Sequence, residues 1–149
     1  MTIDDIIEGI ANVINEKIDN IEVYTEWEEN AERPSVYINC VDSSRQFISN
    51  NKELLKASFD IAYFPTSPNE SRNKEIRQML ENINHSFDNH GKKYVKVLDR
   101  SLTIKDVTTR IVDNIGHYLI DMEIYIPYGE EKQYEKMEKL EIGGILWVM

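Results

Sequence analysis

The segment that most constrains the fold is the octapeptide at 58–65, Ser-Phe-Asp-Ile-Ala-Tyr-Phe-Pro, because its alternation stops at a proline. Successive side chains of a strand point to opposite faces, so Phe59, Ile61 and Tyr63 share one face. Pro65 lacks the N–H group needed to extend a ladder, and the polar residues 66–73 follow it. The pattern predicts a strand that ends at Pro65 and leads through a loop into a helix.

Two segments have the apolar spacing of amphipathic helices. Residues 3–18 repeat isoleucine and valine at intervals of three and four, and residues 70–87 place apolar side chains on one stripe. Thr2 is the expected N-cap of the first helix, and Asp4 and Asp5 follow it, where carboxylates meet the positive end of the helix dipole. The Asn-His-Gly sequence at 89–91 is expected to stop the second helix.

Six segments, one of which contains the strand already described, have the alternating pattern that is typical of strands. They are residues 21–27, 35–42, 54–64, 94–98, 102–112 and 115–128, the last two joined by a tight turn at Asp113 and Asn114. The polar residues 43–52 are predicted to form a loop, and the charged residues 130–140 a short helix. This order predicts an α+β fold: a mainly antiparallel sheet of about six strands, two longer helices packed on one face, and a short C-terminal helix.

The length and composition predict one folded domain. The chain has 149 residues, of which 41% are hydrophobic, with only 4 prolines and 6 glycines. We therefore expect residues 1–149 to form a single domain. Its last residues, 143–149, read Gly-Gly-Ile-Leu-Trp-Val-Met, and a run this apolar either adds an edge strand to its own sheet or packs against another subunit.

The charge of the chain bears on its partners. Its net charge is −10, from 17 basic and 27 acidic residues, and such a surface repels phosphate. Specific binding of DNA or RNA is therefore not expected. The apolar runs are shorter than the roughly 20 residues of a membrane span, and the acidic residues near the start differ from the basic start of a signal peptide. We expect an intracellular protein with no membrane partner.

The residues that usually carry chemistry are scattered. His85, His90 and His117 have no second ligand at a metal-binding spacing, and the lone Cys40 supports neither an internal disulfide nor a thiolate cluster. The glycines fit no phosphate-binding loop, and no serine has the context of a nucleophile elbow. We predict no catalytic residue, cofactor or metal, and a protein that is not an enzyme. The alternative is a small α+β enzyme or ligand-binding module whose substrate the sequence does not define.

The order of these elements resembles that of the phage tail terminator family. The sharpest motif is Phe-Asp-Ile-Ala-Tyr-Phe-Pro at 59–65, supported by the amphipathic start, the strand at 21–26, Arg33-Pro34 before a strand, the long last strand and Met137-Glu138. The resemblance covers residues 1–140. It implies a structural protein of a virion or phage-tail-like particle. Such proteins form a ring, usually of six copies, that caps the head-proximal end of the tail tube, stops its polymerisation and provides the surface for joining the head or connector.

The resemblance also implies partners and a location. The partners would be further copies of the chain, the tail tube protein, the sheath protein and the head connector, with DNA passing through the lumen without specific binding. The protein would be assembled in the cytoplasm of the host bacterium and reside in the tail of a virion or of a phage-tail-like particle. In a particle with no head, the same surface would cap an empty tail.

For this mechanism we expect the polar segments 43–52 and 66–73 to contact neighbouring rings, and the sheet edges to contact neighbouring subunits. Tyr63 and Phe64 either anchor the second segment or lie in the core, and of the two we expect the core. The candidate interaction residues are Ser43, Arg45, Gln46, Asn50, Lys52, Tyr63, Phe64, Thr66, Asn69, Arg72 and Trp147.

Overall fold

The structure is a computed structural model and describes residues 1–66 and 73–127. Within these ranges the chain forms two helices and seven strands. In chain order they are α1 Ile3–Lys17, β1 Glu22–Tyr24, β2 Ser35–Ser49, β3 Lys52–Phe64, α2 Asn73–Ser86, β4 Asp88–Asn89, β5 Lys92–Val97, β6 Arg100–Val112 and β7 Ile115–Pro127. The helix predicted at 130–140 and the apolar segment 143–149 lie outside the described residues.

The strands form one sheet in the order β1-β2-β3-β7-β6-β5-β4. β1 pairs in parallel with β2, whereas β4–β5, β5–β6 and β6–β7 are antiparallel pairs. The sequence predicted an α+β fold with about six strands, two longer helices and a short C-terminal helix. The prediction is wrong for the sheet. In the described residues the sheet has seven strands and is mixed, although most of its pairs are antiparallel.

The strand that the sequence analysis missed is β4. Asn89 pairs with Lys92, and the two residues between them, His90 and Gly91, have φ values of 51° and 81°. Such positive φ values at both central positions are typical of a two-residue hairpin turn. The Asn-His-Gly sequence therefore turns the chain from β4 into β5, because the residues that favour a helix stop also favour this turn.

The polar segment 43–52 is extended rather than a loop. β2 continues to Ser49 and β3 begins at Lys52, so only residues 50 and 51 form the turn of the hairpin. All side chains from residue 41 to residue 50 are exposed. Because neither face of this part of β2 is buried, its sequence lacks the alternation that marks a half-buried strand.

The two helices are fixed by capping and by close packing. Thr2 and Asp5 form a capping box at the start of α1, in which each side chain bonds the other residue's backbone N–H. α1 and α2 contact each other, and both lie on the sheet. A Cβ atom at Gly9 of α1 would lie 2.8 Å from the carbonyl oxygen of Lys96 in β5, so a glycine is needed at this approach.

The core lies between the helices and one face of the sheet, which we call the helix side. Phe59 and Ile61 of β3 and Tyr118 of β7 are fully buried on this side, as the alternation at 58–65 predicts for β3. Tyr118 stacks on Phe87 at a centroid distance of 6.0 Å, and its hydroxyl donates to Asn84 Oδ1 at 2.7 Å. Burial raises the pKa of Tyr118 far above its ordinary value.

The chain divides into two compact units. The first comprises Met1–Ser44 and Lys56–Glu123, and the second comprises Arg45–Leu55 and, among the described residues, 124–127. Neither of the two helices in the described ranges has the length and apolar character needed to cross a membrane.

Candidate assembly surface

An exposed tryptophan lies in a cleft of the first unit. Trp27 is 63% exposed, and its ring meets those of Tyr37 and Phe64 edge-on, at centroid distances of 5.8 and 6.1 Å. The cleft has a volume of about 80 Å³. We call it the aromatic cleft; its lining residues are Tyr24, Trp27, Glu28, Glu29, Ala31, Arg33, Ser35, Tyr37 and Phe64.

The wall of the aromatic cleft comes from the connection between β1 and β2. Because these strands are parallel, residues 25–34 must carry the chain back from the end of β1 to the start of β2. The backbone N–H of Glu32 donates to the Tyr24 hydroxyl at 3.2 Å, which holds the connection against β1. Arg33 and Pro34 at its end are joined by a cis peptide bond.

Arg33 fastens this connection to the end of β3. Its guanidinium carbon lies 5.5 Å from the centroid of the Phe64 ring, and Nη1 donates to the carbonyl of Pro65 at 3.1 Å. The first contact is a cation–π interaction, and the second satisfies a carbonyl at which the strand has ended. Arg33-Pro34 and Phe64-Pro65, which carry the resemblance in the sequence, thus meet in space.

Glutamates surround the exposed tryptophan. Glu28 and Glu29 line the aromatic cleft, and Glu26 and Glu32 lie in the same connection with exposed side chains. Aromatic side chains in a cleft are the usual anchors of protein interfaces, and carboxylates around them favour a basic partner. The aromatic cleft is therefore suited to bind a side chain of another protein, and in particular a basic one.

Glu75 of α2 holds the chain where it leaves β3. Its Oε2 accepts hydrogen bonds from the Tyr63 hydroxyl at 2.7 Å, from the Thr66 backbone N–H at 3.0 Å and from the Thr66 hydroxyl at 3.2 Å. Burial, and next the bond to Glu75, raise the pKa of Tyr63 far above its ordinary value. The start of the predicted interaction segment 66–73 is thus fixed to the core.

The β2–β3 hairpin carries the other predicted interaction residues. In the first unit, Ser43 is exposed on β2. In the second unit, Arg45 forms an ion pair with Glu53, and Lys52 lies 5.3 Å from the centroid of the Tyr125 ring. The other two predicted interaction residues of the hairpin are Gln46 in β2 and Asn50 in the turn, and both are exposed. The exposed apolar side chains of Phe47 and Ile48 lie between them in the sequence.

The sheet face opposite the helices, which we call the outer face, carries polar pairs in the first unit. Asp60 Oδ2 and His117 Nδ1 lie 2.8 Å apart and are largely buried, and the buried Asp60 Oδ1 has no hydrogen-bond partner within the described residues. Beside them, Ser58 donates to Asp121. These bonds join β3 to β7. Among the described residues, no group of three or more potential ligands could hold a metal ion.

The predicted interaction residues fall into three groups. Phe64 and Thr66 lie at or beside the aromatic cleft, while Tyr63 is buried and contacts Glu75. The hairpin residues 43–52 form a separate group, and Asn69, Arg72 and Trp147 lie outside the described residues. Trp27, Tyr37 and the Asp60–His117 pair were not predicted from the sequence. Trp27 could have been found in the sequence, because it is a tryptophan among glutamates. Tyr37 and Asp60 could not, because their partners are distant in sequence.

Comparison with protein families gives one result. The family model described as "Phage tail terminator protein" matches residues 5–135, which include α1 from residue 5 onward, α2 and all seven strands of the described structure. The chain belongs to the phage tail terminator family, as its resemblance predicted. A comparison with curated proteins finds no match. Membership makes the chain a structural component of a phage tail, where it assembles with other tail components.

Proposed function

We propose that this protein forms a ring on the head-proximal end of the tail tube. The ring stops polymerisation of the tube and provides the surface to which the head or connector joins. The observation that carries this proposal is the family match, because it extends from α1 to beyond the end of β7. The copies would number six, and their contacts would be heterologous, so that each copy presents two different patches to its neighbours.

The two candidate regions would contact neighbouring rings, and the sheet edges would contact neighbouring subunits. The β2–β3 hairpin, exposed on both faces from residue 41 to residue 50, would contact the neighbouring ring of the tube or the connector. The segment that begins at Thr66 would do the same, because the bonds to Glu75 hold its start in place. The sheet edges would contact neighbouring subunits.

The charge of the protein supports a passive role toward DNA. A net charge of −10 disfavours adhesion of phosphate, so a lumen lined with carboxylates would let a duplex pass without binding it. The partners would be the tube protein, the head connector and, in a contractile tail, the sheath protein. Assembly would take place in the host cytoplasm. We also propose that the protein acts by shape and not by catalysis.

Electron microscopy of purified tail tubes mixed with the protein tests this function. We expect annular particles of the protein alone and an added ring of density at one end of each tube. A protein that stays away from tube ends, at concentrations where it forms annuli, would contradict the proposal. The variant Asn50→Asp, which adds a negative charge to the turn between β2 and β3, provides a first test of the hairpin and should bind tube ends more weakly.

A further inference from the structure

Charge is distributed unevenly along this chain. Residues 22–34 contain five acidic residues and one basic residue, whereas residues 88–112 contain six basic and three acidic residues. The acidic segment forms β1 and the wall of the aromatic cleft, and the basic segment forms β4, β5 and β6. β1 stands at one end of the strand order, and β4 and β5 stand at the other. The two ends of the sheet therefore differ in sign within a chain that is acidic as a whole.

The acidic end has an acceptor for a cation. Trp27 exposes most of its surface, and Glu28 and Glu29 line the same cleft. The Arg33 guanidinium lies over the Phe64 ring and donates a hydrogen bond to the Pro65 carbonyl. These contacts join Arg33 to the end of β3. An ammonium group entering beside Trp27 would gain both a cation–π contact and ion pairs with the two carboxylates.

The basic end has matching donors. Lys92 and Lys96 of β5 are four residues apart, so their side chains share one face, about 13 Å apart along the strand. Val95 and Val97 of the same strand are buried on the helix side. Because Lys92 and Lys96 alternate with these valines, both lysines lie on the outer face. Both lysines are exposed, and neither has an ion pair or side-chain hydrogen bond within the described ranges. Lys93 differs, because it pairs with Asp88.

The aromatic cleft is also on the outer face. Tyr37 alternates with the buried Val36 and Ile38, and Phe64 follows the buried Tyr63, so both rings point away from the helix side. Acceptor and donors thus occupy the same face of the sheet, opposite the two described helices, at different ends of the strand order. A surface with one acceptor and one donor at separate positions can bind a copy of itself head to tail.

We propose that the aromatic cleft of one copy binds the Lys92 or Lys96 ammonium group of a second copy. This inference rests on the proposed function, since it assigns the subunit contact of the ring. The complementary charges would orient the two copies and speed their encounter despite the net charge that each carries. Salt would weaken the contact, because the lysines are exposed before binding. The contact is heterologous, so its repetition produces a ring when the rotation closes.

Two charge-reversed chains test the proposal. The first carries Glu28→Lys and Glu29→Lys, so its aromatic cleft is basic, as are its positions 92 and 96. The second carries Lys92→Glu and Lys96→Glu, so its positions 92 and 96 are acidic, as is its aromatic cleft. Sedimentation velocity should show each variant alone associating at least about tenfold more weakly than the unaltered chain. An equimolar mixture should recover the association, because every cleft then meets a lysine or glutamate of opposite charge on the other variant.

A matched control separates this contact from a general effect of charge. The variant Glu8→Lys with Glu16→Lys changes the net charge of the chain as much as the first variant does, at exposed positions of α1. It should associate like the unaltered chain. Far-UV circular dichroism of all variants should match the unaltered chain, because every substituted side chain is on the surface.

Three results would overturn the proposal: reversed variants that associate normally, a mixture that stays dissociated, or an unaltered chain that is monomeric at all concentrations. Tube capping is scored separately by electron microscopy. If both reversed variants form annuli and still cap tubes, the proposed function stands and this contact is wrong. If the mixture recovers association but never binds tube ends, the contact stands and the proposed function is wrong.

Discussion

At the scale of single residues, the molecule uses carboxylates to hold chain segments in place. Glu75 accepts three hydrogen bonds from Tyr63 and Thr66, and Asp60 pairs with His117 across β3 and β7. A charged acceptor with several donors forms stronger bonds than a neutral one. These side chains resemble components of an active site, yet each has a structural task, which is to fix the end of β3 or to join it to β7.

The Tyr63–Glu75 bond predicts both a loss of stability and a pH dependence. Tyr63→Phe should lower the free energy of unfolding by about 1–2 kcal/mol at neutral pH, because the donor to a charged group is lost. The folded pKa of Tyr63 is raised, so its contribution is complete below the unfolded pKa of about 10 and is lost as the pH rises above it. Urea unfolding between pH 8 and about 11 measures both effects.

The control for this prediction is Tyr125→Phe, which removes a hydroxyl from an exposed tyrosine. It should change the free energy of unfolding by less than about 0.5 kcal/mol and leave the pH dependence of the unaltered chain intact. If Tyr63→Phe loses stability above pH 10 as steeply as the unaltered chain does, the raised pKa of Tyr63 is not the cause.

At the scale of elements, close approach between α2 and β7 determines how the second helix packs. A Cβ atom at Gly116 would lie 2.6 Å from Ile76 Cγ2 and 3.4 Å from Leu80 Cδ2. Both neighbours are buried side chains of α2 with little room to move. Helix and strand therefore meet at a distance that only a glycine allows.

Gly116→Ala should consequently lower the free energy of unfolding by about 1–3 kcal/mol, because α2 must shift to admit the methyl group. Urea unfolding measures this loss. Asn12→Ala, on the exposed side of α1, is the control and should leave stability unchanged or slightly increased, because alanine favours the helix. An unchanged unfolding midpoint for Gly116→Ala would show that α2 does not pack as closely as described.

The elements that the sequence predicted well are those with one buried face. α1, α2, β3 and β7 follow from apolar spacing, and the Asp113-Asn114 turn has the positive φ values of a tight hairpin. The distal part of β2 was mistaken for a loop, because both of its faces are exposed and no alternation marks it. β4 was missed because two residues are too few for a pattern, and the parallel pairing of β1 depends on partners that local sequence does not show.

The candidate site was predictable to a smaller extent. Phe64 and Thr66 were among the predicted interaction residues because they flank the proline that ends β3. The aromatic cleft was not predicted, because its rings come from positions 27, 37 and 64 and meet only after β1, β2 and β3 have aligned. Long-range contacts of this kind depend on the topology of the sheet and not on the spacing of residues.

At the scale of the whole molecule, the proposed function depends on association with other copies and with tail components. The proposed interaction surfaces are the aromatic cleft and the outer face of β5 in the first unit, and the exposed residues 45–50 of β2 and its turn in the second unit. Within the part of the chain that the structure describes, the buried residues include no aspartate or glutamate, so the acidic side chains are at least partly accessible to solvent.

The net charge leads to a prediction about DNA. In an electrophoretic mobility assay at 0.15 M salt, the protein should bind duplex DNA with a dissociation constant weaker than about 10⁻⁴ M, whatever the sequence, because a net charge of −10 repels phosphate. Tight or sequence-dependent binding would contradict a passive lumen. The variant Glu28→Lys with Glu29→Lys, which adds basic charge at one site, should bind DNA no more weakly than the unaltered chain.

The most direct test of the central claim is the length of tail tubes assembled with and without this protein. Tube protein, length-determining components and the unaltered chain should give tubes of one uniform length, each closed at one end, when examined by electron microscopy. Omission of the chain should give tubes that continue to grow and vary in length. Identical length distributions in the two samples would contradict the account.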